Sequence, residues 1–198
     1  MKFLVVLFLS ILTSTTALGE EGDIYTLFKG VNSLKILFSQ RTKLPVAGDE
    51  VSLYEGVIYY KRPLKFRWEY TKGTKVLIVS NGELVKSSIE GECQIAEIAD
   101  QPVFALIELI DNPEKFKEDF RVKELKKELK KNKSWEVVRI TPNYKDAFFK
   151  EITFIIKDKK LKKVITVEED GTKGEYQIEE IEKNVPLNDD LFQVTPCN

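Results

Sequence analysis

The residues able to do bond-making chemistry are few. The 198-residue chain contains no histidine, which removes Ser-His and Cys-His nucleophilic pairs and the usual zinc ligand sets. No Gly-rich phosphate loop is present; Gly171-Thr172-Lys173-Gly174 reads as a hairpin turn. The acidic residues are scattered among lysines at surface spacing, and nothing in their order marks a paired-carboxylate site. Cys93 and Cys197 are far apart and form no CxxC motif. In an oxidising compartment they can pair as a disulfide, and two unpaired thiols are the equal alternative. The stretch that stands out is Gly56–Tyr70, GVIYYKRPLKFRWEY. Val57, Ile58, Tyr59 and Tyr60 suit a strand. Pro63 ends it in a turn over Arg62-Pro63-Leu64-Lys65. In the strand that follows, Phe66, Trp68 and Tyr70 share one face, while Lys65, Arg67 and Glu69 take the other. An ordinary hairpin with aromatics in a core accounts for this much. Arg62, at the start of the aromatic wall, is either a solvated turn cation or a guanidinium supplied with acceptors, because burying it unpaired would be costly. The chemistry on offer is apolar binding rather than catalysis.

The elements that would position this wall follow from the rest of the chain. Met1-Lys2 and the apolar run Phe3–Leu12 form a charged start and a core too short to span a bilayer. Small residues follow, so residues 1–19 read as a signal peptide cleaved after Gly19, or after Ala17, and residues 20–198 as a single exported domain. Glu20 follows Gly19, so there is no lipobox cysteine. Ile24, Leu27, Phe28, Val31 and Leu34 recur at helical spacing behind Asp23, predicting one amphipathic helix. From Ile36 the period becomes two. Strands are expected at Ile36–Thr42, Val51–Lys61, Lys65–Thr71, Lys75–Ser80, Glu83–Ser88 and Glu92–Glu97, with Asn81-Gly82 as a hairpin turn. Gln101–Asp111 is apolar on nearly every side and is bounded by Pro102 and Asn112-Pro113, predicting a buried helix. Pro113–Phe120 adds a short helical turn. The basic run Val122–Lys133 fits a helix or a long hairpin, as a solvated face or a docking surface for an acidic partner. Strands resume at Trp135–Ile140, Phe148–Lys157, Leu161–Glu168, Gly174–Ile181 and Leu191–Thr195.

The count is about ten to eleven strands and two or three helices, mostly hairpin-connected. The fold class is therefore mainly β, one strongly curved antiparallel sheet with helices against its concave face. Formal charge is −1, or −2 once the leader with Lys2 is removed, which gives no support for nucleic-acid binding.

Lys61-Arg62-Pro63, Phe66, Trp68 and Val79-Ser80-Asn81-Gly82 together resemble the signature of the periplasmic lipoprotein carrier family, LolA. Phe38-Ser39-Gln40 after the first helix, Gly56 ahead of the Lys-Arg-Pro, the helix Pro102–Ile107 and the ending Asn184, Pro186, Leu187, Leu191, Phe192, Val194, Pro196 extend the resemblance along the mature chain. It implies an incomplete antiparallel β-barrel with a helical lid over a hydrophobic cavity. The cavity would hold the acyl chains of a lipoprotein taken from an inner-membrane ABC transporter and passed to an outer-membrane acceptor lipoprotein, if one is present. The resemblance assigns the lid-closing role to Arg62, bonded to lid backbone around Val103–Ile110, and places Phe66 at the cavity mouth. The cavity would be lined by Phe28, Val31, Phe38, Ile58, Tyr60, Phe66, Trp68 and Tyr70, and by Val103, Phe104, Leu106, Ile107 and Ile110 of the lid. A monomeric carrier in the periplasm, with no enzymatic activity, cofactor or metal, is what this implies. A lipid-binding or lipid-sensing module on the same half-barrel is the alternative. The sequence departs from the family in its two cysteines, its long Lys-rich segment and its end two residues after Pro196.

Overall fold

The structure is a computed structural model and describes residues 23–48, 50–98, 104–130, 133–145 and 147–197. The expected signal peptide and Val103 lie outside these residues. Eleven strands form one antiparallel sheet: β1 (Ser33–Lys43), β2 (Ser52–Lys61), β3 (Lys65–Lys72), β4 (Val76–Asn81), β5 (Leu84–Ile89), β6 (Glu92–Glu97), β7 (Phe120–Lys130), β8 (Lys133–Pro142), β9 (Phe149–Lys157), β10 (Lys160–Glu168) and β11 (Lys173–Lys183). The spatial order is β6-β5-β4-β3-β2-β1-β11-β10-β9-β8-β7. The chain meanders outward from β1 to β6. It then crosses through helices α2 (Phe104–Asp111) and α3 (Pro113–Asp119) to the opposite edge, and meanders back until β11 pairs with β1. β6 and β7 remain edges, so the sheet is open.

Strand alternation gives the sheet one apolar face. In β9, Ile152, Phe154 and Ile156 are buried while Thr153 and Ile155 are only half-buried; in β1, Leu34, Ile36 and Phe38 are buried. These residues, with Ile107, Leu109 and Ile110 of α2, belong to one continuous core. Gly56 is built into it. A Cβ there would come within 2.5 Å of the Phe38 ring and 2.7 Å of the Glu69 carbonyl. The missing side chain lets the Phe38 ring lie across β2, 5.3 Å from Trp68 and 5.8 Å from Tyr70.

Two expectations are corrected, and one left open is decided. The N-terminal helix is a single turn, α1 (Asp23–Thr26); Gly30 takes a positive φ of 72° and Leu34 already belongs to β1. The basic run is the edge strand β7, hairpin-paired to β8. Leu191–Thr195 is no strand: a 3-10 turn at Asp189–Phe192 leads into an irregular tail.

That tail is a strap on the outer side of the sheet. Lys61 and Lys65 hold Asp189 at 2.9 and 3.2 Å, and Phe192 is buried. Lys86 on β5 donates to Thr195 and to the Pro196 carbonyl. Cys197 is disulfide-bonded to Cys93 on β6, with Cα atoms 5.8 Å apart.

Candidate functional site

A cavity of about 430 Å³ lies between the apolar face of the sheet and α2. Pockets of this size and lining suit small or elongated apolar ligands. Phe38, Ile58, Tyr60, Phe66, Trp68 and Tyr70 form one wall, Phe154, Leu161, Val164, Tyr176 and Ile178 the other, and Ile107, Leu109 and Ile110 the roof. The register explains the first wall: Tyr60 faces Phe66, Ile58 faces Trp68 and Gly56 faces Tyr70 across β2–β3, so every second residue points inward. Phe38, Trp68, Tyr70 and Tyr176 pack edge-on or tilted, with ring centres 5.3 to 6.4 Å apart.

Polar atoms in the cavity are few. The Tyr70 hydroxyl donates to the Gln40 side-chain oxygen. Burial pushes the Tyr70 phenol up to about 12 and holds the Tyr176 phenol well above its usual range. Glu168 lines the end of the cavity far from the Arg62 turn; burial first, then the Asp170 charge, raise its carboxyl above the usual range. Among the described residues, no group of three or more His, Cys, Asp or Glu side chains comes together to hold a metal ion, and no helix is long and apolar enough to cross a membrane.

Arg62 sits where β2, the segment after α1 and the roof meet. Its Nε donates to the Val31 carbonyl at 2.8 Å, and an Nη donates to the Ile110 carbonyl at the end of α2. The next turn repeats the contact: the Leu64 backbone N–H donates to the Asp111 carboxylate at 2.9 Å. Burial first, then Asp111, raise the Tyr60 phenol well above its usual range. The C-terminal carbonyls of a helix lack intrahelical partners, so a forked cation there satisfies groups that would otherwise be stranded. On the far side of the roof, Glu108 is 3% exposed and is reached by Lys115 of α3 at 2.6 Å, which also binds Asp119.

Residues 29–195 match the family model described as outer membrane lipoprotein carrier protein LolA. The chain belongs to the LolA family. An outer-membrane lipoprotein carrier protein of Nitrosospira multiformis is 27% identical over 202 aligned residues, covering 98% of this chain and 93% of that protein. Among solved structures, this LolA-family chain is similar to a LolA superfamily protein from Nitrosomonas europaea, with a TM-score of 0.46, 12% identity, and 87% and 94% of the two chains covered. It is also similar to the Mycobacterium tuberculosis lipoprotein LppX, at a TM-score of 0.41, 12% identity and coverage of 84% and 93%.

Of the residues expected to line the cavity, Phe28, Phe38, Ile58, Tyr60, Phe66, Trp68, Tyr70, Ile107 and Ile110 do so. Val31 does not: it is buried in the core and presents its carbonyl to Arg62. Phe66 is not at a mouth. It is 0% exposed, paired with Tyr60 beside the Arg62 turn. The side chains of Phe104 and Leu106, like Val103, lie outside the described residues. The second wall, Phe154 to Ile178, was missed. Its residues alternate in plain strands, and only the topology, which brings β9–β11 around to face β2–β3, reveals that they share the cavity.

Proposed function

We propose that this LolA-family chain is a periplasmic carrier of lipoproteins. The N-terminal residues 1–19 direct export, and residues 20–198 form one carrier domain that acts as a monomer. The acyl chains of a lipoprotein leaving an inner-membrane ABC transporter enter the cavity beneath α2 and travel there to the outer membrane, where an acceptor lipoprotein, if present, receives them. The protein shields its cargo and transforms nothing. The observation that carries this reading is an almost wholly apolar cavity roofed by a helix whose Ile110 carbonyl is held by Arg62. Covering long acyl chains is strongly favourable, at about 0.8 kcal/mol per buried CH₂. A carrier must also let go, and a closed form with its own hydrogen bonds lowers the net affinity. The family and the carrier name of the Nitrosospira multiformis relative support the same reading.

The test is displacement of an apolar fluorescent probe from the purified mature protein. A triacylated lipopeptide is expected to compete, and its deacylated form is not. Competition by single-chain lipids but not by the triacylated form would favour a lipid-binding module of another kind. Failure of every acylated ligand would overturn the cavity's role.

A further inference from the structure

The outer side of the sheet is divided in two. The C-terminal strap runs over the β3–β6 half and ends at β6. On the other half, the side chains opposite the core are set by register. Trp135 on β8 faces Lys157 on β9. Val137 faces Ile155, which faces Lys163 on β10. Arg139 faces Lys123 on β7 and Thr153 on β9. Trp135 is 42% exposed, with the Lys157 ammonium 5.8 Å from its ring centre; Val137, Ile155 and Ile165 are half-buried.

Charge is segregated along the same line. Residues 120–168, which span β7 to β10, hold 15 of the chain's 31 basic residues and only 7 of its 32 acidic ones. The remainder holds 16 basic and 25 acidic residues. The sign turns at β11, where Glu175, Glu179, Glu180 and Glu182 stand. The β7–β10 segment thus carries a net of about +8 and the rest of the chain about −9.

We propose that the outer face of β7–β10 is a docking surface for an anionic lipid bilayer. Lys123, Arg139, Lys157 and Lys163 spread over a broad strand face match a plane of phosphate headgroups, which would compete with the loose 3.4 Å ion pairs of Arg139 to Glu151 and Lys163 to Glu175; an exposed tryptophan beside a lysine matches the interface region, where aromatic rings and cations settle together. The apolar residues, Val137 facing Ile155 with Trp135 beside them, form one small half-buried patch bordered by Arg139, Lys157 and Lys163, not the charge-depleted centre of a protein–protein interface. The acidic remainder of the molecule would be repelled by the same membrane, so the field both attracts the protein and orients it. Such docking does not require the cavity to be filled or opened.

The experiment is co-sedimentation of the mature protein with vesicles, comparing phosphatidylcholine alone with a mixture containing 30% phosphatidylglycerol, at low and high salt. Binding is expected to the anionic vesicles only, and to be lost in about 0.5 M NaCl. Lys157→Glu and Lys163→Glu are each expected to lower partitioning at least about fivefold; Lys157→Gln and Lys163→Gln, which disturb the face less, are expected to lower it by a smaller factor. Trp135→Ala weakens binding without altering its salt dependence. Binding must persist with an apolar probe held in the cavity. Equal binding to neutral vesicles, no binding to either, or binding indifferent to these substitutions would each overturn the proposal. An acidic protein partner in place of lipid would show itself as salt-sensitive pull-down without vesicle binding, which also overturns it. Neither result bears on acyl-chain displacement from the cavity.

Discussion

At the scale of the residue, Arg62 bridges two carbonyls that belong to different parts of the molecule, Val31 on the way into the sheet and Ile110 at the end of the roof helix. Charge-assisted hydrogen bonds are worth about 1.5–3 kcal/mol. The Ile110 bond exists only while α2 lies down, so it stabilises the closed form and adds nothing to a form in which the helix has lifted, whereas the Val31 bond anchors the guanidinium in place. Arg62→Leu is therefore expected to hold an acylated ligand about ten- to a hundredfold more tightly and to release it correspondingly slowly. Arg62→Lys should fall between, since an ammonium cannot serve two carbonyls with a rigid fork. Stopped-flow off-rates for the wild type and both variants decide the matter; unchanged rates would reduce Arg62 to a turn residue. Glu168 offers a second residue-level test. Its carboxyl already titrates above the usual range because of burial and Asp170, and it lines the cavity. An apolar ligand removes more water from it and raises it further, so binding takes up a proton. Affinity should then increase as pH falls through the window above the ordinary carboxylate value of 4.5, and Glu168→Gln should flatten the profile in a probe titration.

At the scale of the element, the sheet was largely legible because its strands alternate and its turns carry strong signals. Asn81-Gly82 is an example: Gly82 takes a φ of 103° and the Asn81 side chain accepts two backbone N–H groups. What misled the reading was overlap of periods. Leu34 fits both the helical spacing that runs from Ile24 and the period of two that continues to Ile36 and Phe38, and pairing with β2 and β11 decides it for strand. The run Lys123–Lys130 has helix-forming residues but belongs to the edge strand β7, which is paired on one side, by β8. Alternation along β2 and β3 also revealed one wall of the cavity; the opposite wall depends on contacts far apart in the chain. The tail's role was invisible for a related reason: its anchors on the sheet, among them Asp189, Phe192, Lys86 and the disulfide spanning 104 residues, lie far away in the chain. Closing a loop of that length can contribute up to about 4–5 kcal/mol in the chain-entropy model. Cys93→Ser is expected to lower the urea midpoint by an amount corresponding to about 2–4 kcal/mol, and reductant should have the same effect on the wild type and none on the variant.

At the scale of the whole molecule, the volume of the cavity decides how much must move. At roughly the 30 Å³ that one water-sized group occupies in a liquid, 430 Å³ accommodates about 14 such groups, on the order of one acyl chain. Three chains do not fit beneath α2 as it lies. The sheet is a single hydrogen-bonded unit from β6 to β7, braced on its outer side by the strap, and has little freedom to widen. The α2–α3 segment is different: it connects the two edges and is held to the sheet by the core contacts of α2, the Arg62 bond and the Asp111 contact to Leu64. Loading a triacylated ligand should therefore lift α2 while leaving the strands in place. Amide hydrogen exchange distinguishes this from swelling of the sheet. With a single-chain fatty acid bound, the amides of Ile107 to Ile110 should stay as protected as before. With a triacylated lipopeptide they should exchange at least about tenfold faster, while the amides of β1, β2 and β11 slow or stay constant. In Arg62→Leu the α2 amides should exchange faster from the outset and respond little to the triacylated ligand. If β1 and β11 lose protection together with α2, the sheet opens with the roof, and a lid moving on a fixed half-barrel is the wrong description.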